Sequence, residues 1–554
     1  MEGKTIDLYH NCNIITVDEN NTIAEAMATL DGRILAIGAL EDLEDQVTKA
    51  SKETPGAGGV NKIDLNGGTV LPGFIDAHLH PGVYVVFKTQ LNLSGIRSIT
   101  SLQEILKKED KIKKLNQWIL GFDLMEDLFD DPAERIFPDR AVLDACCPDR
   151  HVVILRHDAH ICSVNSRVLE TLGIDKEYVK AHPLKGGEIR IDPEGEPTGI
   201  FTEEATAIVL DAIPVPDMQS FASAAKEFSD EITSFGITTC GAILQLGQEG
   251  LMGKAGALEL PLVQQLIKED LIKPDLAFYL ITNKPKKLKR ARRAIQSLSE
   301  REYRFELGGL KTFADGSFGA RTACMHEPFS DSTDGVCGFM VRDQDTLVAL
   351  FREALELDFQ VACHAIGDRA NREVVDAFKK VQEECGKMDL RNRIEHASQI
   401  TDDTLADAAK LGLVIVTQPA FINSEYTWLE NRMGPDRIKD TYPFKSIIDH
   451  GIVLAGASDA PIESASILAA IQACVTRKGF VPEQSIGVMD AIRMFTWNAA
   501  YSIRQEHVKG SLEPGKLADF VVLGKDPNTV SREEIEGIKI VATYQRGKKV
   551  YSRE

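Results

Sequence analysis

The chain is 554 residues long, 43% hydrophobic, and carries a formal charge of -21. That length allows a few domains, or one large barrel with an appended domain, and the composition is that of a globular protein, not a disordered or fibrous one. The negative charge argues against nucleic acid and anionic membrane surfaces as partners, because both are bound through clustered Lys and Arg.

The first residues, Met1 to Asp7, hold no apolar signal-like run, and no later stretch approaches the length of a bilayer span. No membrane segment and a cytoplasmic location are therefore expected. Of the ten cysteines only Cys146 and Cys147 are adjacent, so there is neither a C-x-x-C pair nor a disulfide framework. Residues 5–40 alternate short β-rich pieces with turns, among them Asp31-Gly32-Arg33, and a Gly-rich link follows at 56–59. Near the other end, 518–523 and 538–544 read as further strands. Neither terminus alone offers enough strands to bury a core, so residues 1–70 and 506–554 are expected to form one composite β-sandwich domain.

Between them, over 71–505, apolar runs alternate with helical periodicity. The runs are Val152-Val153-Ile154-Leu155, Ile237-Thr238-Thr239-Cys240, 276–280, 359–362, 413–416 and 452–455; helical stretches include 346–357 and 372–384. Repeated strand-helix units over this length argue for an α/β fold, a parallel (β/α) barrel. A doubly wound sheet competes, but no Gly-rich phosphate fingerprint follows any strand. Residues from about 95 to 230 carry extra material, including the acidic run 126–131, and read as a subdomain inserted early in the barrel.

The most informative segment is Leu71-Pro72-Gly73-Phe74-Ile75-Asp76-Ala77-His78-Leu79-His80-Pro81. In a strand, side chains at i and i+2 leave the same face, so His78 and His80 converge on one point, with Asp76 in reach as a supporting acid. The competing reading is a pair of loop histidines. Three further candidates end strand-like runs: His364, His396 and Asp459. Strand C-termini gather at one mouth of a barrel, where these imidazoles and a carboxylate would suit zinc or a similar divalent ion with an open position for water. Lys311, within Leu310-Lys311-Thr312-Phe313-Ala314-Asp315, has two readings: an ion-pair partner of Asp315, or a desolvated amine that adds carbon dioxide to give a carbamate able to bridge two cations. Cys363, beside His364, should point the opposite way into the core.

Taken together, several segments resemble the amidohydrolase superfamily and, within it, the amidohydrolase-3, YtcJ-like group that includes N-substituted formamide deformylases. They are the 71–81 opening, Asp158-Ala159-His160, Val164-Asn165-Ser166, 198–205, 311–323, 363–368, Arg393-Ile394-Glu395-His396, 457–461 and Ala518-Asp519. The resemblance implies a metal-bearing (β/α)8 TIM barrel with a composite β-sandwich and places His78, His80, His364 and His396 at ligand positions. It gives Asp459 the last-strand role of contacting metal or its water and shuttling protons, and Lys311 the strand-four position that is carboxylated in binuclear relatives. It further implies one or two divalent ions, zinc by expectation, a small-molecule substrate and a homodimer. His160 and Arg321 fall in motif segments near the mouth and are candidates for substrate contact; Asp158, Glu203 and Asp315 are candidate hydrogen-bond partners. Two departures concern the lining: the group has Asp-Gly-His where this chain has Asp158-Ala159-His160, and a Trp-rich run where it has Phe122-Asp123-Leu124. The expected activity is metal-dependent hydrolysis of a non-peptide C-N bond, an amide such as an N-substituted formamide or acylated amine. Two alternatives are an aminohydrolase acting on a heterocycle and a regulatory or binding protein without turnover.

Overall fold

A computed structural model describes residues 4–53, 57–113, 117–184, 186–214, 218–247, 255–386 and 389–553; Gly56 of the Gly-rich link lies outside the described residues. Eight parallel strands, numbered here around the barrel, follow one another in chain order: β1 (Phe74–Leu79), β2 (Ile237–Gln245), β3 (Asp275–Ile281), β4 (Phe305–Phe313), β5 (Gln360–Ala365), β6 (Arg393–His396), β7 (Val414–Thr417) and β8 (Leu454–Gly456). Each pairs in parallel with its sequence neighbour. The ring is nearly closed: beyond the end of β8, the Asp459 amide donates to the His78 carbonyl and the His80 amide to the Ala460 carbonyl, both at 2.8 Å.

The strands read as continuous apolar runs because both faces are covered; every residue of β1, β3 and β5 is buried. Outer helices supply the covering face. Asp368–Cys385, for example, buries Val374, Val375, Phe378 and Val381, the i, i+4, i+7 stripe of an amphipathic helix.

One expectation needs correction. Val152-Val153-Ile154-Leu155 is not a barrel strand: Val152–Arg156 belongs to a separate six-stranded sheet between β1 and β2, in the spatial order Gly187–Ile191, Pro197–Glu203, Ile161–Val164, Val152–Arg156, Ile119–Leu124, Leu91–Asn92. This strand is as fully buried as a barrel strand, so composition cannot tell the two apart. The sheet occupies the stretch read as an insertion.

Both termini meet in a third, eight-stranded sheet. Its path runs Lys548–Ser552, Ile540–Gln545, Phe520–Leu523, Ala57–Pro72, Lys4–Ile15, Ala26–Leu30, Arg33–Gly38, with Ile23–Ala24 paired off Lys4–Ile15. The described strands of this path are hydrogen-bonded to one another without a break. Period-2 alternation still serves both faces: Tyr9, Met27, Phe520 and Tyr544 pack together on one, while Leu8 and Ala28 meet Leu43 and Val47 of helix Leu40–Glu53 on the other. The Gly-rich link at its described positions is the start of the long strand Ala57–Pro72. This sheet is tied to the barrel at Asp275, the first residue of β3, whose carboxylate accepts from Lys509 and Arg546 at 2.8 Å each. Among the described residues no helix is long and apolar enough to cross a membrane.

Candidate metal centre and active-site cavity

Alternation along β1 puts Asp76 and His78 on one face, and the chain carries His80 just beyond the strand end, their rings 5.3 Å apart. β6 and the segment after β8 use a different device. Arg393 and Glu395 share the inward face of β6, so His396 would point outward; φ values of +73° at His396 and +46° at Ala397 turn the chain end instead. Asp459 is also left-handed, at +61°. Non-glycine residues in this region cost about 1–2 kcal/mol each, strain that clusters at functional sites.

The result is convergence. His78, His80, His160, Lys311, His364, His396 and Asp459 all line one cavity of about 1200 Å3, open mouth included. His396 lies 4.4 Å from the His364 ring and 5.3 Å from the His78 ring, centroid to centroid. Donor atoms of His78, His80 and Asp459 lie within 4.8 Å of one another. His78 Nε2 is 3.3 Å and His80 Nε2 3.1 Å from Asp459 Oδ1.

Hydrogen bonds fix which nitrogen faces the centre. His78 donates from Nδ1 to Glu395, leaving an acceptor lone pair on Nε2. That Nε2 and Asp459 Oδ1 are both buried and, among the described residues, without a hydrogen-bond partner. Two acceptors facing each other out of water repel, and a cation between them converts the repulsion into two bonds. His364 donates from Nε2 to the Gly316 carbonyl at 3.1 Å, and His396 Nδ1 is held by Gln418 Oε1 at 2.8 Å. Burial keeps the His78, His364 and His396 imidazoles well below their ordinary pKa, hence neutral and able to ligate. For Asp459 burial opposes ionisation, but the facing imidazole of His80 and the Lys311 amine help to outweigh it and hold the carboxyl below its ordinary value. The donor set of imidazoles and carboxylate therefore fits a divalent ion.

Lys311 is buried, and that burial brings its amine down to about 8 despite the partial offset from Glu395 and Asp459. The ion-pair reading fails at its partner. Asp315 accepts from the backbone amides of Cys324, Ile366 and Gly367 at 2.8–2.9 Å, and among the described residues Lys311 forms no ion pair within 4 Å.

His160 is gripped at Nδ1 by Glu203 Oε2, 2.7 Å away; burial disfavours its cation, but Glu203 outweighs burial and raises it to about 9. Glu203 also accepts from Thr322 Oγ1 at 2.5 Å, and Asp158 accepts from Ser317 and Arg156. Arg321 lies apart. It is not among the cavity-lining residues, and its guanidinium pairs with Asp331 at 3.0 Å. Asp76 does not touch the imidazole rings: it accepts from the Ser458 amide and hydroxyl at 3.0 and 2.5 Å, locking the segment that carries Asp459. Cys363 is buried in the main hydrophobic core, as its strand parity requires.

Sequence reasoning passed over Glu395, the residue that contacts His78, and Arg393, which clamps Glu395 through two bonds of 2.7 and 2.9 Å. The signal was present: two opposite charges at i and i+2 of an apolar strand must share a buried face. It also missed His157, another wall residue, where burial disfavours the cation but bonds to Asp123 and Glu463 raise it to about 10.

A model of the amidohydrolase family matches residues 62–551. The chain is 31% identical to a protein of Bacillus subtilis described as putative amidohydrolase YtcJ, over 99% of both chains. It is 25% identical to the N-substituted formamide deformylase of Arthrobacter pascens, over 98% of each. A solved structure of an uncharacterized metal-dependent hydrolase from Pyrococcus horikoshii superposes with a TM-score of 0.72 at 26% identity, covering 95% of this chain and 99% of the other.

Proposed function

Since the chain belongs to the amidohydrolase family, we propose that it is a metal-dependent hydrolase of a non-peptide C-N bond, acting on a small amide such as an N-substituted formamide or an acylated amine. The observation that carries this reading is the buried, partnerless pair of His78 Nε2 and Asp459 Oδ1, 3.3 Å apart at the mouth of the barrel. His78, His80, His364, His396 and Asp459 would hold one or two divalent ions, zinc by donor type, with Lys311 beside them as a carbamate. When bound, such an ion acts as a Lewis acid and lowers the pKa of water.

The chain's own groups supply the rest. Asp459, ionised at neutral pH, accepts the proton of the attacking water on its carboxylate and returns it to the departing nitrogen. His160, cationic because of Glu203, donates from Nε2 to the substrate carbonyl oxygen, where negative charge develops. Glu203 and Thr322 hold that imidazolium in place, and Asp76 with Ser458 holds the Asp459 segment. For Lys311, the amine nitrogen bonds to the carbon of carbon dioxide and releases one proton, leaving an anionic carbamate.

The test is amine release by zinc-loaded protein from a panel of formamides and acyl amines. Asp459→Asn should abolish turnover while the melting curve persists. Full activity in that variant, or release of ammonia from purines and pyrimidines in place of amine from amides, would overturn the reading. Intact-protein mass should show Lys311 carrying the mass of one added carbon dioxide, absent in Lys311→Gln.

A further inference from the structure

Beside the metal-site cavity lies a second compartment, about 710 Å3 of empty space with its opening included. Five residues line both: Val83, Phe87, Leu155, Leu210 and Glu259. The two spaces therefore share walls. The second is built where the inserted sheet meets the barrel, from helix Pro81–Lys88, which follows β1, the inserted strands carrying Leu120 and Leu155, and helix Glu259–Lys268. Deeper in, beyond the shared wall, its lining includes Ile213, Phe221 and Leu262.

Among the described residues, Glu259, at the shared wall, is the only ionisable one in that lining. Its Oε2 accepts from the Gln245 amide at 2.7 Å, while Oε1 is buried and, among the described residues, without a hydrogen-bond partner; burial raises the carboxyl to about 7, offset in part by the Gln245 and Val83 amides. An apolar recess that shares a wall with a reaction centre is a poor host for water, since water needs polar partners that such walls lack. It is suited to an apolar part of a ligand whose polar part sits at the metal site.

We propose that this compartment receives a neutral aryl or alkyl substituent of the substrate amide, and that its apolar walls, with the Glu259 carboxyl at the shared wall, exclude anionic substituents. This rests on the amide-hydrolase reading for the polar end of the substrate, not for the compartment itself.

Calorimetric titration of the zinc-loaded protein with n-alkylformamides from methyl to octyl, alongside turnover of the same series, tests it. Each methylene that enters the recess should tighten binding about threefold to fourfold, the gain from burying one CH2, until the recess is full. An ω-carboxyalkyl analogue of equal length should gain nothing. Leu262→Trp and Ile213→Trp, which fill the recess from two separate elements, should each flatten the slope within its own series; melting curves show that they fold, and either variant suffices. A steep slope without turnover would sink the amide-hydrolase reading and leave the compartment assigned. Turnover with a flat slope, a slope that survives in both variants, or no binding of any alkylformamide would overturn the assignment.

Discussion

Glu395→Gln is the most informative single substitution, because Glu395 stands between a buried cation and a ligand. Both Glu395 and Arg393 are fully buried, joined by bonds of 2.7 and 2.9 Å, and Glu395 also takes the Nδ1 proton of His78. Removing the carboxylate charge leaves the Arg393 guanidinium uncompensated out of water, a loss of about 3–5 kcal/mol. The imidazole loses the partner that orients it and raises its basicity, which weakens metal binding about 10- to 100-fold. In the double variant Arg393→Met, Glu395→Gln the uncompensated charge is gone. What remains lost is the Arg393 bond to the Ala77 carbonyl at 2.9 Å and its stacking on Tyr279 at 4.1 Å, together about 1–3 kcal/mol. The metal-free double variant should therefore melt above the metal-free single variant, yet bind zinc no better. Calorimetric melting of the metal-free proteins and competitive zinc titration measure the two effects separately. Unchanged zinc affinity in Glu395→Gln, or a double variant less stable than the single, would refute the argument.

Other outcomes follow from the same reasoning. The folded pKa of His157, about 10, lies above its unfolded value near 6.5; its contribution is fully present below about pH 6.5 and is lost as pH rises through 10. The melting-temperature gap between wild type and His157→Gln should accordingly narrow from pH 6.5 to pH 10, and a constant gap would count against it. Gly309→Ala should fail to give soluble protein or melt much lower, since a Cβ there would lie 2.0 Å from the Gln360 carbonyl oxygen on the neighbouring strand. Arg156→Met strips the shared cation from Glu126, Asp127 and Asp158, bonded at 2.5–3.1 Å, and should destabilise by about 3–5 kcal/mol, read as early protease cleavage within the inserted sheet. Chelation of metal should lower the melting temperature of wild type but not of a His78→Ala, His80→Ala variant.

The barrel was readable because parallel strands covered on both faces appear as plain apolar runs, and the ligands because they stop those runs. The same logic misled at Val152–Arg156, whose five buried residues match a barrel strand in every property that one segment can display. Partner choice is non-local, and nothing in five residues encodes it. His396 shows another limit: by strand parity it should face away from Glu395's side, and only two left-handed residues bring it in. A strained backbone is invisible in a list of residue types, although here a recognised motif supplied the position. Arg321 sits in a motif segment near the mouth, but Asp331, ten residues on, draws its side chain to a half-exposed ion pair. Asp76 was correctly marked as a supporting acid for the wrong atom; its reach to Ser458 depends on β8 lying beside β1, which ring closure alone determines.

The sheet shared by both termini has a bearing on how the protein is made. Ala57–Pro72 has Lys4–Ile15 along one side and Phe520–Leu523 along the other. During synthesis, several hundred residues must leave the ribosome before that second side is covered. Until then the end of that strand, Thr69–Pro72, offers unpaired backbone groups to any passing chain.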